Sequence, residues 1–248
     1  MHVSYILSSI TTSTYNHNHH YSTLLDLIAD RKLYGTWSGS ILIDDAPRTP
    51  IFHREIAYIL HDDIFINTLT VEETLQYLAC SLLSNDTSIE ARQDRVDEVI
   101  AMMGLSIVRN VVIGRSTRRN ITQGQLKCLS IAKQIIAYRK LLFLDDPTSG
   151  LDYNIANDVI KSVRKVVTLG STCLVAMNQP SADAFACFDK FVLLSSGKHH
   201  ILYCYTYTLI CKLCFYIHTL YYTTSAINTL LYTCIASYRV VSHTATLH

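Results

Sequence analysis

Between residues 22 and 203 the chain alternates short apolar runs with longer amphipathic stretches. Residues 38–45, "SGSILIDD", form an apolar run that meets a turn-forming Asp-Asp-Ala-Pro, and predict a strand and turn. Residues 56–61, "IAYILH", predict a second short buried strand. Three helix starts follow, each marked by a hydroxyl residue three positions before Glu or Gln. They are Thr70 with Glu73, Thr87 with Glu90, and Thr122 with Gln125. In this arrangement the hydroxyl and the N3 side chain satisfy backbone N–H groups that a first helical turn leaves unpaired. Gly104 is a natural stop for the second helix, and the third is expected to run to Tyr138. "KLLFLDD" is continuously apolar before its acids, as in a parallel strand covered on both faces. A helix ending at Leu169 and closed by Gly170 comes next, then the buried strands "TCLVAM" and "KFVLLS". Strands alternating with helices predict an α/β fold with a mainly parallel sheet. The helices at about 70–138 interrupt that alternation and are expected to be a helical subdomain inserted into the sheet.

Composition divides the chain into three zones. Residues 1–21 are mostly Ser, Thr, Tyr, His and Asn without a Lys, Arg, Asp or Glu, and are expected to be disordered or not genuine coding sequence. Residues 22–203 have the mixed charge of an ordinary globular domain. Residues 204–248 contain no acid and carry half of the 8 Cys. This tail reads first as non-coding sequence in translation and second as a weak membrane segment, because His218, Asn228 and many hydroxyls interrupt its apolar run. A net charge of +1 gives no electrostatic footprint for nucleic acid. Cys80, Cys128, Cys173 and Cys187 lie in apolar periodic segments and read as small buried residues of a reduced compartment.

The densest chemical signal is "LLFLDDPTSGLD", residues 141–152. An apolar strand ending in two carboxylates puts acids at the C-terminal edge of a parallel sheet, where ligands bind in such folds. Asp145 suits water-mediated Mg²⁺ binding, and Asp146 suits polarising a water near a terminal phosphate. An isolated Asp-Asp pair would more simply end a strand and cap a helix; the twelve-residue string argues against that.

This string resembles the Walker B and D-loop segment of ABC-transporter ATPases, and the chain is most similar to the White-type, or G, subfamily. The supporting stretches are "STLLDLIADRK", "GTWSGSILIDDAPR", "DDIFINTLTVEETLQYLA", "NQPS" and "FDKFVLLSSGK". The resemblance covers residues 22–203. It implies a P-loop NTPase core that binds MgATP between two head-to-tail nucleotide-binding domains. It also implies a transmembrane exporter, whose helices this chain lacks, and a place on the cytoplasmic face of a membrane.

Several family positions are altered. Against G-x-x-x-x-G-K-[ST], Tyr15 and His20 stand in the glycine places and Tyr21 in the lysine place. Glycines let backbone N–H groups wrap the phosphates, and lysine supplies charge. Ser22 keeps the Mg²⁺-ligand place, with Thr23 beside it. His61 stands for the Q-loop glutamine. The signature S-G-G-[EQ] reads Thr122-Gln123-Gly124-Gln125, with Gln123 for a glycine. Asp146 replaces the glutamate that would orient the attacking water, and Asn178 replaces the switch histidine. Asp152 of the D-loop is intact. The resemblance therefore assigns catalytic places to Asp146, Asn178 and His61. It assigns nucleotide contacts to Ser22, Thr23, Thr122, Gly124, Gln125 and Asp152, and Mg²⁺ to Ser22 and Asp145. The tract His17–His20 suits a surface metal by composition, but no Cys or acid lies near it. Two functions are expected: an exporter's ATP-binding domain, incomplete and inactive alone, or a non-hydrolysing pseudo-ATPase that acts as a regulatory or structural partner.

Overall fold

The computed structural model describes residues 3–11, 20–31, 36–60, 64–114, 121–177, 180–195, 198–203 and 231–236. The chain opens with β1 (Val3–Thr11) and α1 (His20–Ile28), then β2 (Thr36–Ile43), β3 (Ala46–Pro47), α2 (Phe52–Glu55) and β4 (Ile56–Ile59). Three helices follow: α3 (Val71–Leu82), α4 (Ile89–Met102) and α5 (Gln123–Ile135). Then come β5 (Leu141–Asp145), α6 (Tyr153–Thr168), β6 (Thr172–Met177), α7 (Ala182–Phe185), β7 (Lys190–Ser195), β8 (Lys198–Tyr203) and β9 (Leu231–Ala236).

The principal sheet has strand order β4-β5-β6-β9-β7-β8. β4, β5 and β6 run parallel, while β9 pairs antiparallel with both β6 and β7. α3, α4 and α5 all lie in sequence between the adjacent strands β4 and β5.

Each parallel strand alternates its side chains between two cores, as a two-residue period requires. Ala57 and Ile59, Leu142 and Leu144, and Cys173, Val175 and Met177 join the helices α3 to α6 on one face. Ile56, Leu141 and Phe143, and Leu174 and Ala176 join α1, β2 and Phe52 on the other. Burial on both faces explains why β5 is apolar at every position before its acids.

The helix starts at Thr70 and Thr122 are complete capping boxes with Glu73 and Gln125. The α4 start differs from the expected Thr87 box. Ser88 is the cap, and its hydroxyl accepts from the Ala91 N–H at 3.2 Å. Thr87 instead closes a turn, donating its N–H to Ser84 O at 3.0 Å. Gly104 and Gly170, at φ 67° and 100°, take the left-handed conformation that follows α4 and α6. α5 stops at Ile135 rather than Tyr138. Arg95 of α4, only 7% exposed, donates to the carbonyls of Ile135 at 2.6 Å and Ile136 at 3.4 Å. Tyr138 then turns left-handed at φ 54° and lies 3.8 Å from the Arg95 guanidinium.

In residues 1–21, expected to be disordered or not genuine coding sequence and without the strands that precede a phosphate loop, the structure forms a strand. Val3–Thr11 pair antiparallel with β2 across a bulge between Leu7 and Ser9. Val, Tyr, Ile and Thr in this stretch suit a pleated strand whether or not charge is present. In the tail, Leu231–Ala236 supply β9. Among the described residues no helix is long and apolar enough to cross a membrane. Residues 204–230, which hold most of the apolar run weighed as a membrane segment, lie outside the described residues.

Candidate nucleotide site

The site is organised around the end of β5. Asp145 pairs in register with Ala176 of β6, and both Asp145 and Asp146 are buried. Asp146 sits at φ 44°, a left-handed value that a side chain resists. Its N–H donates to Ala176 O at 2.8 Å, and its carbonyl accepts from the Ser149 N–H at 3.3 Å. The chain leaves the sheet sharply here. Gly150, at φ 70°, completes the turn before Asp152 opens α6. Asp152 is exposed and accepts the Ala156 N–H at 2.8 Å through its backbone carbonyl, while its side chain makes no cap hydrogen bond. That leaves its carboxylate clear of the helix end.

α1 packs on the Leu141 and Phe143 face of β5. By strand parity Asp145 belongs to that face too. Ser22 and Thr23 lie in the first turn of α1, which also includes His20 and Tyr21. The far end of α1 is held by Arg48, whose Nη1 donates to Leu27 O at 2.7 Å and lies 3.3 Å from the Asp30 carboxylate. Tyr58 of β4 stacks on Phe143 with centroids 6.0 Å apart, and the Arg31 guanidinium sits 4.3 Å from its ring. Burial, then the negative charges of Asp145 and Asp26, push the Tyr58 phenol well above its ordinary range. Tyr58 is thus a neutral wall of this acid-lined corner at any physiological pH.

α5 forms the second part. Thr122 Oγ1 accepts from the Gln125 N–H at 3.2 Å, and Gln125 Oε1 accepts from the Thr122 N–H at 2.9 Å. Thr122 and Gln123 are exposed, whereas Gly124 is buried. A Cβ on Gly124 would stand 2.2 Å from Cγ2 of Ile155, so α5 begins in direct contact with the first turn of α6. Lys127 donates to Leu60 O at 3.4 Å and Lys133 to Ile64 O at 2.7 Å. The two lysines thereby grip the chain on either side of the His61 position.

A third feature supports the stretch after β6. Ser181 Oγ lies 2.5 Å from Asn157 Oδ1 and caps α7 by accepting the Ala184 N–H at 3.0 Å. Asp183 accepts from Tyr153 Oη at 3.1 Å. α6 therefore fixes the chain just beyond the "NQP" segment.

A family model described as "ABC transporter" matches residues 21–149, just over half of the chain. That span begins at Tyr21 and takes in the acid pair at the end of β5. The chain belongs to the ABC transporter family. Its relatives place it in the G subfamily. It is 38% identical over 181 residues to "ABC transporter G family member 24" of Dictyostelium discoideum, covering 71% of this chain and 16% of that protein. It is 36% identical over 177 residues to "Broad substrate specificity ATP-binding cassette transporter ABCG2" of Bos taurus, covering 71% of this chain and 27% of that one. "ABC transporter G family member 48" of Oryza sativa subsp. japonica matches at 36% over 177 residues, covering 12% of its length. The chain thus spans roughly an eighth to a quarter of the relatives it matches.

As an ATP-binding domain of the ABCG type, the chain has its strand-end acids, the start of α1 and the start of α5 placed as above. The ABC positions His61, Asn178 and residues 15–19 of the phosphate loop lie outside the described residues, as do His17 and His19 of the histidine tract. Among the described residues no cluster of three His, Cys, Asp or Glu could hold a metal ion. Sequence reasoning missed Tyr58, Lys127, Lys133 and Ile155. Their roles arise from contacts across long stretches of chain, and no local spacing marks them.

Proposed function

We propose that this chain is the nucleotide-binding part of an ABCG-type exporter that does not turn over ATP as its sequence stands. The observation that carries the first half is the β5 terminus, where Asp145 and Asp146 are buried at the end of a strand whose Leu141 and Phe143 pack against α1. Asp145 and Ser22 would hold Mg²⁺, and the α1 N-terminus would face the phosphates. Thr122, Gly124, Gln125 and Asp152 would face nucleotide on a second nucleotide-binding domain, in a head-to-tail pair. Thr122 and Asp152 are exposed as that arrangement needs. Coupling to transport would require a transmembrane domain, with this domain on the cytoplasmic side of the membrane.

The second half follows from chemistry. Tyr21 supplies no cation where the family has lysine, and Tyr15 and His20 carry the Cβ atoms that a phosphate nest excludes. Asp146 is one methylene shorter than glutamate, so its carboxylate falls short of the attacking water. Asn178 cannot carry a proton. These changes favour weak MgATP binding and no hydrolysis. They equally suit a pseudo-ATPase that pairs with a competent domain and lends it Thr122–Gln125 while hydrolysing nothing itself. Phosphate release by the full chain, set against the Asp145→Ala, Asp146→Ala variant, tests this. Equal rates are expected; a clearly faster rate from the unaltered chain would refute the silent reading.

A further inference from the structure

We propose that the hollow at the N-terminal edge of β5 and β6, at the other end of these strands from Asp145, binds a small organic anion with an apolar body. The cavity has a volume of about 290 Å³. That is the small end of the range for ligand sites, about 300 Å³ upward, and suits a one- or two-ring molecule. Its apolar surface comes from Met102, Ile135 and Val166. Tyr138 and Leu169 stand at its rim, 63% and 62% exposed, and add apolar surface to its mouth.

The charge is unbalanced. Glu98 is the one acid among the lining residues, and it is spent on Arg95 at 2.7 Å. Arg139 and Lys140 also line the cavity, and neither side chain has an ion-pair partner among the described residues. The simplest task for such cations is to complement helix C-termini. Both nearby helix ends are already served. Arg95 takes the carbonyls of Ile135 and Ile136, and the N–H groups of Leu169 and Gly170 take those of Val166 and Val167 at 3.2 and 3.0 Å. Arg139 and Lys140, consecutive and just ahead of β5, are therefore surplus positive charge beside an apolar hollow. An aryl carboxylate meets both halves, with its ring against Met102, Val166 and the Tyr138 ring and its carboxylate between the two cations.

The probe is 2-naphthoate, titrated into the full chain by calorimetry, with neutral 2-naphthamide as control. Binding of naphthoate but not naphthamide is expected, weakened about ten-fold by Arg139→Gln with Lys140→Gln. Met102→Trp, which fills the cavity, should abolish it. MgATP should leave it unchanged, so the result is independent of the nucleotide site. Equal binding of acid and amide, no binding, or an affinity indifferent to the double variant would overturn the proposal. The acid-versus-amide comparison uses the unaltered chain and stands even where a variant fails to fold.

Discussion

Gly124 at the start of α5 and Ile155 in the first turn of α6 are packed so closely that any Cβ on the glycine would stand 2.2 Å from Cγ2 of the isoleucine. The two helices that flank the acid turn therefore meet without slack. Gly124→Ala should destabilise the domain by about 1–3 kcal/mol, the usual cost of overpacking. Ile155→Ala should restore much of that loss in the double variant. Urea denaturation of the four proteins in the cycle measures the coupling, and additive effects would show that the helices yield instead.

The α4–α5 joint rests on Arg95. Replacing it with Met keeps the stem but leaves the Ile135 and Ile136 carbonyls without their donors. A loss of about 2–4 kcal/mol is expected, since removal of a buried charged donor strands its acceptors. Denaturation midpoints check it, and a change below about 1 kcal/mol would mean that water replaces the guanidinium there.

Phosphate binding and hydrolysis should separate. Restoring the loop with Tyr15→Gly, His20→Gly and Tyr21→Lys should raise affinity for a fluorescent ATP analogue by at least about ten-fold, through regained N–H contacts and one cation. Phosphate release should stay at background, because Gln123, Asp146 and Asn178 are unchanged. Turnover from the loop repair alone would assign the defect wholly to the loop.

Stability should fall at alkaline pH. Burial pushes the Cys128 thiol from its ordinary value of 9.0 to about 11. A raised folded-state value favours the folded chain fully below the unfolded pKa, and that advantage is lost as pH climbs from 9 toward 11. The loss from this residue is on the order of 2 kcal/mol. Cys128→Ala should flatten the pH dependence in that window. Cys173, buried and pushed higher still, should resist thiol reagents at pH 8, while Cys80, exposed on α3 rather than buried as its apolar surroundings in sequence suggested, reacts at once.

What the sequence made legible was local. Thr70–Glu73 and Thr122–Gln125 mark helix starts because both halves of a capping box lie within one turn. The acids closing β5 were plain, because two carboxylates directly after a continuously apolar run mark the C-terminal edge of a covered parallel strand, even though both prove to be buried. The Thr87 box failed by one residue, since adjacent hydroxyls compete for one cap and Ser88 holds it. The end of α5 was hidden, because the side chain that stops it is Arg95, forty residues earlier. The division of β5 between two cores was equally hidden, since Leu141, Leu142, Phe143 and Leu144 are all apolar and show no period.

β5 is gripped from both sides, by Leu142 and Leu144 in one core and Leu141 and Phe143 in the other. Gln123 is exposed, and Asp146 follows the last apolar position of the strand, at the turn out of the sheet. A chain of this build can exchange its reactive positions and keep its scaffold intact. Expression level, solubility and melting temperature then carry no information about turnover. Only a measurement of the chemistry itself separates a working copy from a silent one.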